Sequence, residues 1–424
     1  MPSDPSRVVS LALRSGHRGV FVRPGIVIQH AQDRSREGDV VRSDVTGFIG
    51  IVPKARWPNG VKRGDFLEIA VGSLEDLRAH PMRVLVDGVT RRALKAYFEN
   101  GGKVARVIAV AVEGPEDLVV EERLEQLFAP VMDRLRAEED IALLAMPVLA
   151  FLPTEVRGGQ VNGQALAATH LLLRHCREMN NRFLLVDAPR QRIEGAEGDV
   201  RCDLDADAMF KYVAALRNLA GESAAYGAIY YPWIQAGDEA MPPSGAVAGV
   251  FARSDAEHGP FGVRWPPANM PMRGVTHPSV EVAWSATGAF AEHGVNPIVT
   301  RPGVGVVMWG ARTMSTDARW VHINSRRIVS FITEQMRRDA EWVVFEQQRP
   351  ELWETLGRML RARLDTFWSA GLLTGQQAGE QYLVQCDAEL NPPAVRDAGQ
   401  IHVKVMLKPV STAESITVDL RLGA

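Results

Sequence analysis

"HCREMNNRFLLVDAP", residues 175–189, is the stretch that decides the fold class. Its first half closes a helix running from Gly163 to Asn180, and its second half, Phe183 to Asp187 (FLLVD), is an unbroken apolar run up to Val186, ending on an acid. Such a run reads as a strand buried on both faces, which is the condition of a parallel sheet covered by helices. The same alternation continues on either side. Glu121 to Glu138 is an amphipathic helix and Ile141 to Met146 (IALLAM) a buried strand. Leu204 to Leu219 is a helix and Ala225 to Tyr231 (AYGAIYY) a further strand. Strands alternating with helices predict a mainly parallel sheet in an α/β domain.

Upstream, Asp44 to Ala55 (DVTGFIGIVPKA) reads as a buried strand. A helix follows from about Val89 to Glu99, stopped by Asn100-Gly101-Gly102, and then a strand from Ala105 to Val112. Before these, the chain to about Arg23 has no sustained period and reads as a flexible arm. "RPGIVIQHA" (23–31) is a short extended segment after a Pro-Gly turn. From Pro232 to Pro278 the chain is dense in Gly and Pro, with a short helix at Ala246 to Asp255. A segment of that length is functional or an interface.

The C-terminal third adds the strand and turn "GVGVVMWGART" (303–313) and a helix from Asn324 to Ala340. Leu352, Leu356, Met359, Leu360, Leu364 and Phe367 form the apolar stripe of another helix. Ile401, Val403, Val405 and Leu407 lie on one face of a strand. After "STAES", the closing "ITVDLRLGA" (416–424) alternates apolar and polar residues as a strand with one apolar face.

The chain has 424 residues, 46% hydrophobic and 23% charged, with a formal net charge of -3. That is the composition of a soluble globular protein of two or three domains. No basic block points to nucleic acid, and no apolar run approaches the ~18 residues of a membrane span. The N-terminal residues do not form a signal peptide, because Arg14 breaks a short apolar run. If the protein leaves the cell, something else must release it. Cys176, Cys202 and Cys386 are scattered and read as reduced structural thiols of a cytoplasmic protein.

Catalytic and cofactor motifs fail one by one. The strand ends "AMPVLAFLP", "VDAPRQR" and "YYPWI" each carry a Pro where a phosphate loop needs free N–H groups. No G-x-G-x-x-G follows a strand, and there is no Walker motif or metal-ligand spacing. Asp187, the acid at a strand end, reads as a capping carboxylate. His175 and Cys176 point about 100° apart on their helix and read as a satisfied histidine and a buried thiol. Ser244 lacks the strand entry of a nucleophile elbow. No catalytic residue, cofactor or metal is expected. Trp309, Gly310 and Arg312 read as structural: Gly310 permits a tight turn, Trp309 offers a large surface to bury, and Arg312 can fork to a carboxylate or to carbonyls, bracing a domain junction.

Taken in order, several segments resemble the contractile tail sheath proteins of phage tails and extracellular contractile injection systems. They are "RPGIVIQ", "RSDVTGFIGIV", "AYFENGGKVARVIAV", "HCREMNNRFLLVDAP" and "AIYYPWI…PPSGAVAGVFARSDAEHGPF". "VNPIVTRPGVGVVMWGARTM", "WVHINSRRIVSFITEQM" and "WVVFEQQRPELW" complete the set, which spans roughly residues 23–424. Gln347-Gln348 stand where the family often has Pro-Asn, "STAESITV" replaces Pro-Ala-Glu-Phe, and the first 20 or so residues have no counterpart.

The resemblance implies an α/β chain with a flexible arm over residues 1–23 and a strand arm with a first α/β part over 24–115. A middle α/β domain with the Gly/Pro segment would span 116–278, and a C-terminal α+β sheath core 279–424. It implies a structural subunit that polymerises in stacked rings around an inner tube, with baseplate and terminal cap proteins as partners. The sheath contracts to drive the tube through a target envelope, with no nucleic acid and no membrane insertion. Assembly would be cytoplasmic, in a phage tail or tail-like particle released by lysis. The arms would pair with neighbouring subunits through Ile26, Val27 and Ile28 and through Ile416, Val418, Leu420 and Leu422. The last four would be donated onto a neighbour's strand carrying Val403 and Val405. Glu354, Arg358, Arg361 and Asp365 are either a solvated helix face or the contact with the tube. The alternative is an α/β enzyme or nucleotide-binding protein.

Overall fold

A computed structural model describes residues 7–13, 40–118, 121–152, 154–157, 160–163, 165–192, 201–237, 239–344, 346–347, 349–375 and 379–411. The chain divides into two units, Arg42–Arg327 and Ile328–Val410, the second of which also takes the strand Arg7–Leu13.

The first unit is built on an eight-stranded sheet. In spatial order its strands are Gly305–Met308, Val295–Arg301, Gly227–Tyr231, Phe183–Asp187, Leu143–Ala145, Thr46–Pro53, Ala105–Val112 and Phe66–Val71. The six inner strands are parallel, and one antiparallel strand closes each edge. Phe183–Asp187 lies inside the sheet, fully buried along its length, as its unbroken apolar run predicts.

Side chains alternate between the two faces. Leu184 and Val186 join a core with Ile49, Val110 and Ile229, against the helices Glu121–Ala137, Ala165–Met179 and Ala206–Ala220. Phe183 and Leu185 join Phe48, Val107 and Tyr230, against the helices Gly88–Glu99 and Ser244–Glu257. Those two helices touch because Gly245 and Gly249 lack side chains. A Cβ on Gly245 would lie 2.3 Å from the Ala93 carbonyl oxygen, and one on Gly249 would lie 2.4 Å from that of Tyr97. "SGAVAG" is therefore a packing motif in which small residues let two backbones meet.

The sheet runs through the expected boundaries at 115/116 and 278/279. Strands from all three expected parts share one ladder, so the separate core begins after Arg327 rather than at Ser279. Local periodicity shows that a strand exists but not which sheet receives it.

In the second unit, the part of the helix Ile323–Asp339 from Ile328 onward faces the helix Pro350–Ser369. Phe331 and Phe367 meet edge to face at 5.9 Å. Trp353, Leu356, Leu360 and Leu364 are buried along the second helix, following the spacing of its stripe. Beside them lies a three-stranded antiparallel sheet in the order Arg7–Leu13, Ile401–Leu407, Tyr382–Gln385. Arg7–Leu13, expected to be part of a flexible arm, is thus a paired strand. Its sequence RVVSLAL has no clean alternation, and the ladder that orders it comes from a strand almost 400 residues away.

Candidate functional site

The small sheet brings the N-terminal strand together with a strand near the C-terminus. Arg7 to Leu13 pair with Leu407 to Ile401, and Tyr382 to Gln385 pair with Leu407 to Lys404 on the other side. Ile401, Val403, Val405 and Leu407 are buried, with His402, Lys404 and Met406 half-buried between them, so the predicted face of this strand is the one that packs. Both long edges of Ile401–Leu407 are occupied within the chain. A strand from a neighbour therefore finds no open edge there. It exchanges with one of the two flanking strands or adds outside Arg7–Leu13 or outside Tyr382–Gln385, where Leu383 is 51% exposed. Ile26, Val27, Ile28, Ile416, Val418, Leu420 and Leu422 lie outside the described residues.

Glu354, Arg358, Arg361 and Asp365 fall on one stripe of the helix Pro350–Ser369, and all four are exposed. The stripe is not uniform. The Arg361 guanidinium donates to the Val384 carbonyl at 3.2 Å, and the Tyr382 hydroxyl donates to Asp365 at 2.5 Å. Arg361 and Asp365 thus help hold the edge strand onto the helix, while Glu354 and Arg358 stand clear at the N-terminal end. Arg363 pairs with Asp339 at 2.6 Å.

Trp309, Gly310 and Arg312 are locked to the "NPI" segment. Asn296 is fully buried, and its amide donates to the carbonyls of Ile229 at 3.1 Å and Arg312 at 2.8 Å. Its Oδ1 accepts from the Arg312 N–H at 2.8 Å. The Trp309 N–H donates to the Pro297 carbonyl at 2.7 Å. Gly310 is required by approach rather than by φ, since a Cβ there would sit 2.7 Å from Asn296 Oδ1. Arg312 donates through Nη1 to the Ala291 carbonyl at 3.0 Å. These bonds lie within the first unit, so the motif braces that unit internally and not a domain junction. Trp309 is only half-buried and packs on Trp284, 4.5 Å between ring centres. The Arg301 guanidinium also lies over the ring, 5.7 Å from its centre.

The candidates weighed for catalysis have structural tasks. Asp187 caps the helix Ser244–Glu257: the Ser244 N–H and Oγ–H each donate to its carboxylate at 2.6 Å. Burial nevertheless pushes the Asp187 pKa up to about 7, against the pull of the Ser244 bonds. Burial also raises the Cys176 thiol to about 12 and lowers His175 to about 3, the latter helped by the Arg182 charge. A thiol so held is no nucleophile. Arg182, which the sequence reading missed, is fully buried and donates to the carbonyls of Leu135 and Glu138, both at 2.8 Å. Also missed was Arg327, buried and bidentate on Asp255. The available signal was Arg326-Arg327 interrupting an apolar helix face. Among the described residues no cluster of His, Cys, Asp or Glu could hold a metal, and no helix is long and apolar enough to cross a membrane.

The family model for the phage tail sheath protein central domain matches residues 139–314, and that for the phage tail sheath C-terminal domain matches 315–423. The chain belongs to the phage tail sheath family. The sheath central-domain match ends at the "WGARTM" knot, and the C-terminal match starts beside it, close to the division at Arg327. The tail sheath protein of Vibrio phage KVP40 is 25% identical over 185 residues, covering 42% of this chain and 26% of the phage protein. The chain therefore spans about a quarter of that sheath relative's length. The helical sheath of the anti-feeding prophage in its contracted state has a TM-score of 0.67 at 22% identity, over 95% of this chain and 100% of the other. The sheath complex of the extracellular contractile injection system PVC, also contracted, has a TM-score of 0.62 at 21% identity, over 95% and 98%. At these identities the sheath structures establish a shared fold.

Proposed function

We propose that this chain is the repeating subunit of a contractile sheath. It stacks in rings around an inner tube, ends on a baseplate and a terminal cap, and shortens to drive the tube through a target envelope. The role is structural rather than enzymatic. The particle is a phage tail or tail-like assembly, built in the cytoplasm and released by lysis.

The observation that carries this reading is the small sheet. A seven-residue strand from one end of the chain is held to Ile401–Leu407 by a backbone ladder. Each backbone hydrogen bond contributes ~0.5–1.5 kcal/mol net, and ordering each residue costs ~1–2 kcal/mol. With gains and costs so close, such a strand exchanges readily between identical copies. Residues 26–28 and 416–422 are further strands for the same mesh, and Glu354 and Arg358 are the contacts offered to the tube. Many weak ladders joined by flexible connections hold subunits together while they rotate.

Negative-stain microscopy of the chain expressed with its tube partner tests the proposal. Long striated tubes are expected. A chain that stays monomeric with a tube protein that has itself polymerised would count against it.

A further inference from the structure

Among the described residues four guanidinium groups are nearly buried: Arg182, Arg253, Arg326 and Arg327. Arg182 lies on two main-chain carbonyls. Arg253 donates to the Pro271 carbonyl and has Glu257 at 3.9 Å. Arg327 forks onto both oxygens of Asp255 and reaches the Ser43 carbonyl. Arg326 is the exception. It is 3% exposed, yet it has no carboxylate in ion-pair reach among the described residues. Its Nη2 donates at 3.2 Å to Asn180 Oδ1, an oxygen that also accepts from the Tyr226 hydroxyl at 2.7 Å. Its Nε is buried with no partner.

The Arg326 guanidinium instead lies between two rings, 4.4 Å from Tyr226 and 4.2 Å from Trp320. Ring faces attract a cation but do not supply the anion that a buried charge ordinarily has. Both rings are part-exposed, so the group sits just beneath the surface. Asp317, close to Trp320 in the chain, is already paired with Arg319, and Glu222, close to Tyr226 in the chain, with Arg177. Burial pulls the Arg326 pKa down, opposed only by the neighbouring Tyr226.

We infer that Arg326, framed by Trp320 and Tyr226, is a seat for a carboxylate carried by a second copy of this chain. The inference rests on the sheath reading for its occupant. A homopolymer presents the same acidic side chains to every Arg326, and the chain carries 51 Asp and Glu residues against 48 Lys and Arg. The incoming carboxylate approaches past the part-exposed rings and neutralises a charge that has no anion among the described residues of the free subunit. Contact is thereby favoured at one point and in one orientation.

Three measurements test this. The Arg326→Met monomer should melt no lower than wild type, because a buried lone charge is removed, while the concentration needed for polymerisation rises at least tenfold. A photo-crosslinking residue at Trp320 should capture an Asp- or Glu-containing segment of another copy in assembled sheaths. Acetate, against chloride at equal ionic strength, should raise the melting temperature of wild-type monomer by a few degrees and leave Arg326→Met unchanged. The inference is overturned if Arg326→Met melts lower but assembles normally per folded molecule, or if the crosslink goes only within the chain or to the tube protein. Acetate that acts equally on both proteins removes the carboxylate seat. Wild type that forms no polymer overturns the sheath reading and the second copy with it, and the acetate comparison then decides the seat alone.

Discussion

Asp187 shows how one residue can be placed correctly by sequence and still hold something in reserve. Its position at a strand end marks it as a cap, and it is one. Its full burial raises the folded pKa from 3.8 to about 7. A carboxyl with a raised folded pKa binds its proton more tightly in the native state. Its contribution to stability is complete below the unfolded pKa and is lost as pH rises toward 7. Asp187→Asn keeps an acceptor for the Ser244 N–H and offers a donor to Ser244 Oγ without a charge. The variant should therefore melt higher than wild type at pH 8, and the gap should narrow as pH falls below 7 and close only below about 3.8. A gap that does not change with pH would show that Asp187 is not titrating in the fold. A second prediction at this scale concerns Asn296. Asn296→Ala leaves two carbonyls and one N–H without their partner, at ~1–3 kcal/mol for each group left buried. Arg312→Lys loses the planar fork and the bond to Ala291, and should cost only ~1–2 kcal/mol. Chemical denaturation should rank Asn296→Ala well below Arg312→Lys. The reverse order would place the knot's strength in Arg312.

Elements depend on what their faces meet. The helix Ser244–Glu257 has small residues where Gly88–Glu99 crosses it, and the glycines of "SGAVAG" are legible only once that partner is known. Gly245→Val would drive a side chain into the Ala93 backbone, with no flexible atom to give way. An overpacking loss of ~3 kcal/mol or more is expected in a denaturant melt. A neutral result would mean the two helices can separate freely. The helix Pro350–Ser369 is the opposite case. Its stripe predicted most of the buried face: Leu356, Leu360, Leu364 and Phe367 are buried, Leu352 and Met359 only half-buried, and Trp353 joins them, while Glu354, Arg358, Arg361 and Asp365 share the outer face. The structure divides them, because Arg361 and Asp365 contact the strand Tyr382–Gln385. Arg358→Glu is therefore the clean probe. It should leave the monomer's melt within ~0.5 kcal/mol of wild type and weaken association with the tube, most at low salt and less as salt rises. Tube association unchanged by the reversal would assign this stripe to solvent.

At the scale of the molecule, the question is where the two chain ends go. Arg7–Leu13 already lies on Ile401–Leu407, so the closing segment 416–422 is not needed to cover that edge in a single copy. Deleting residues 416–424 should leave a folded, soluble monomer that no longer polymerises, read by a thermal melt and by sedimentation. A truncated chain that unfolds would place the strand inside its own subunit. One that still forms full-length sheaths would remove it from the mesh altogether.

The sequence alone determined that a mainly parallel α/β sheet exists and which segments build most of it, though not the strands Phe66–Val71 and Val295–Arg301, and it located most of the buried face of the helix Pro350–Ser369. These follow from the periodicity of apolar residues, a local property that each element carries in itself. The ordered family motifs went further and led to the sheath assignment. Tertiary structure decided the rest. One sheet gathers strands from three expected domains, because strand pairing is set by long-range register and not by neighbours in the chain. Asn296 proved to be the hub of "WGART" because a hydrogen-bonding partner lies a strand away. Arg327 found Asp255, while Arg326 beside it found two rings and the Asn180 amide oxygen. Two adjacent arginines look alike in sequence, and their difference arises from the angle at which a helix presents each to its surroundings.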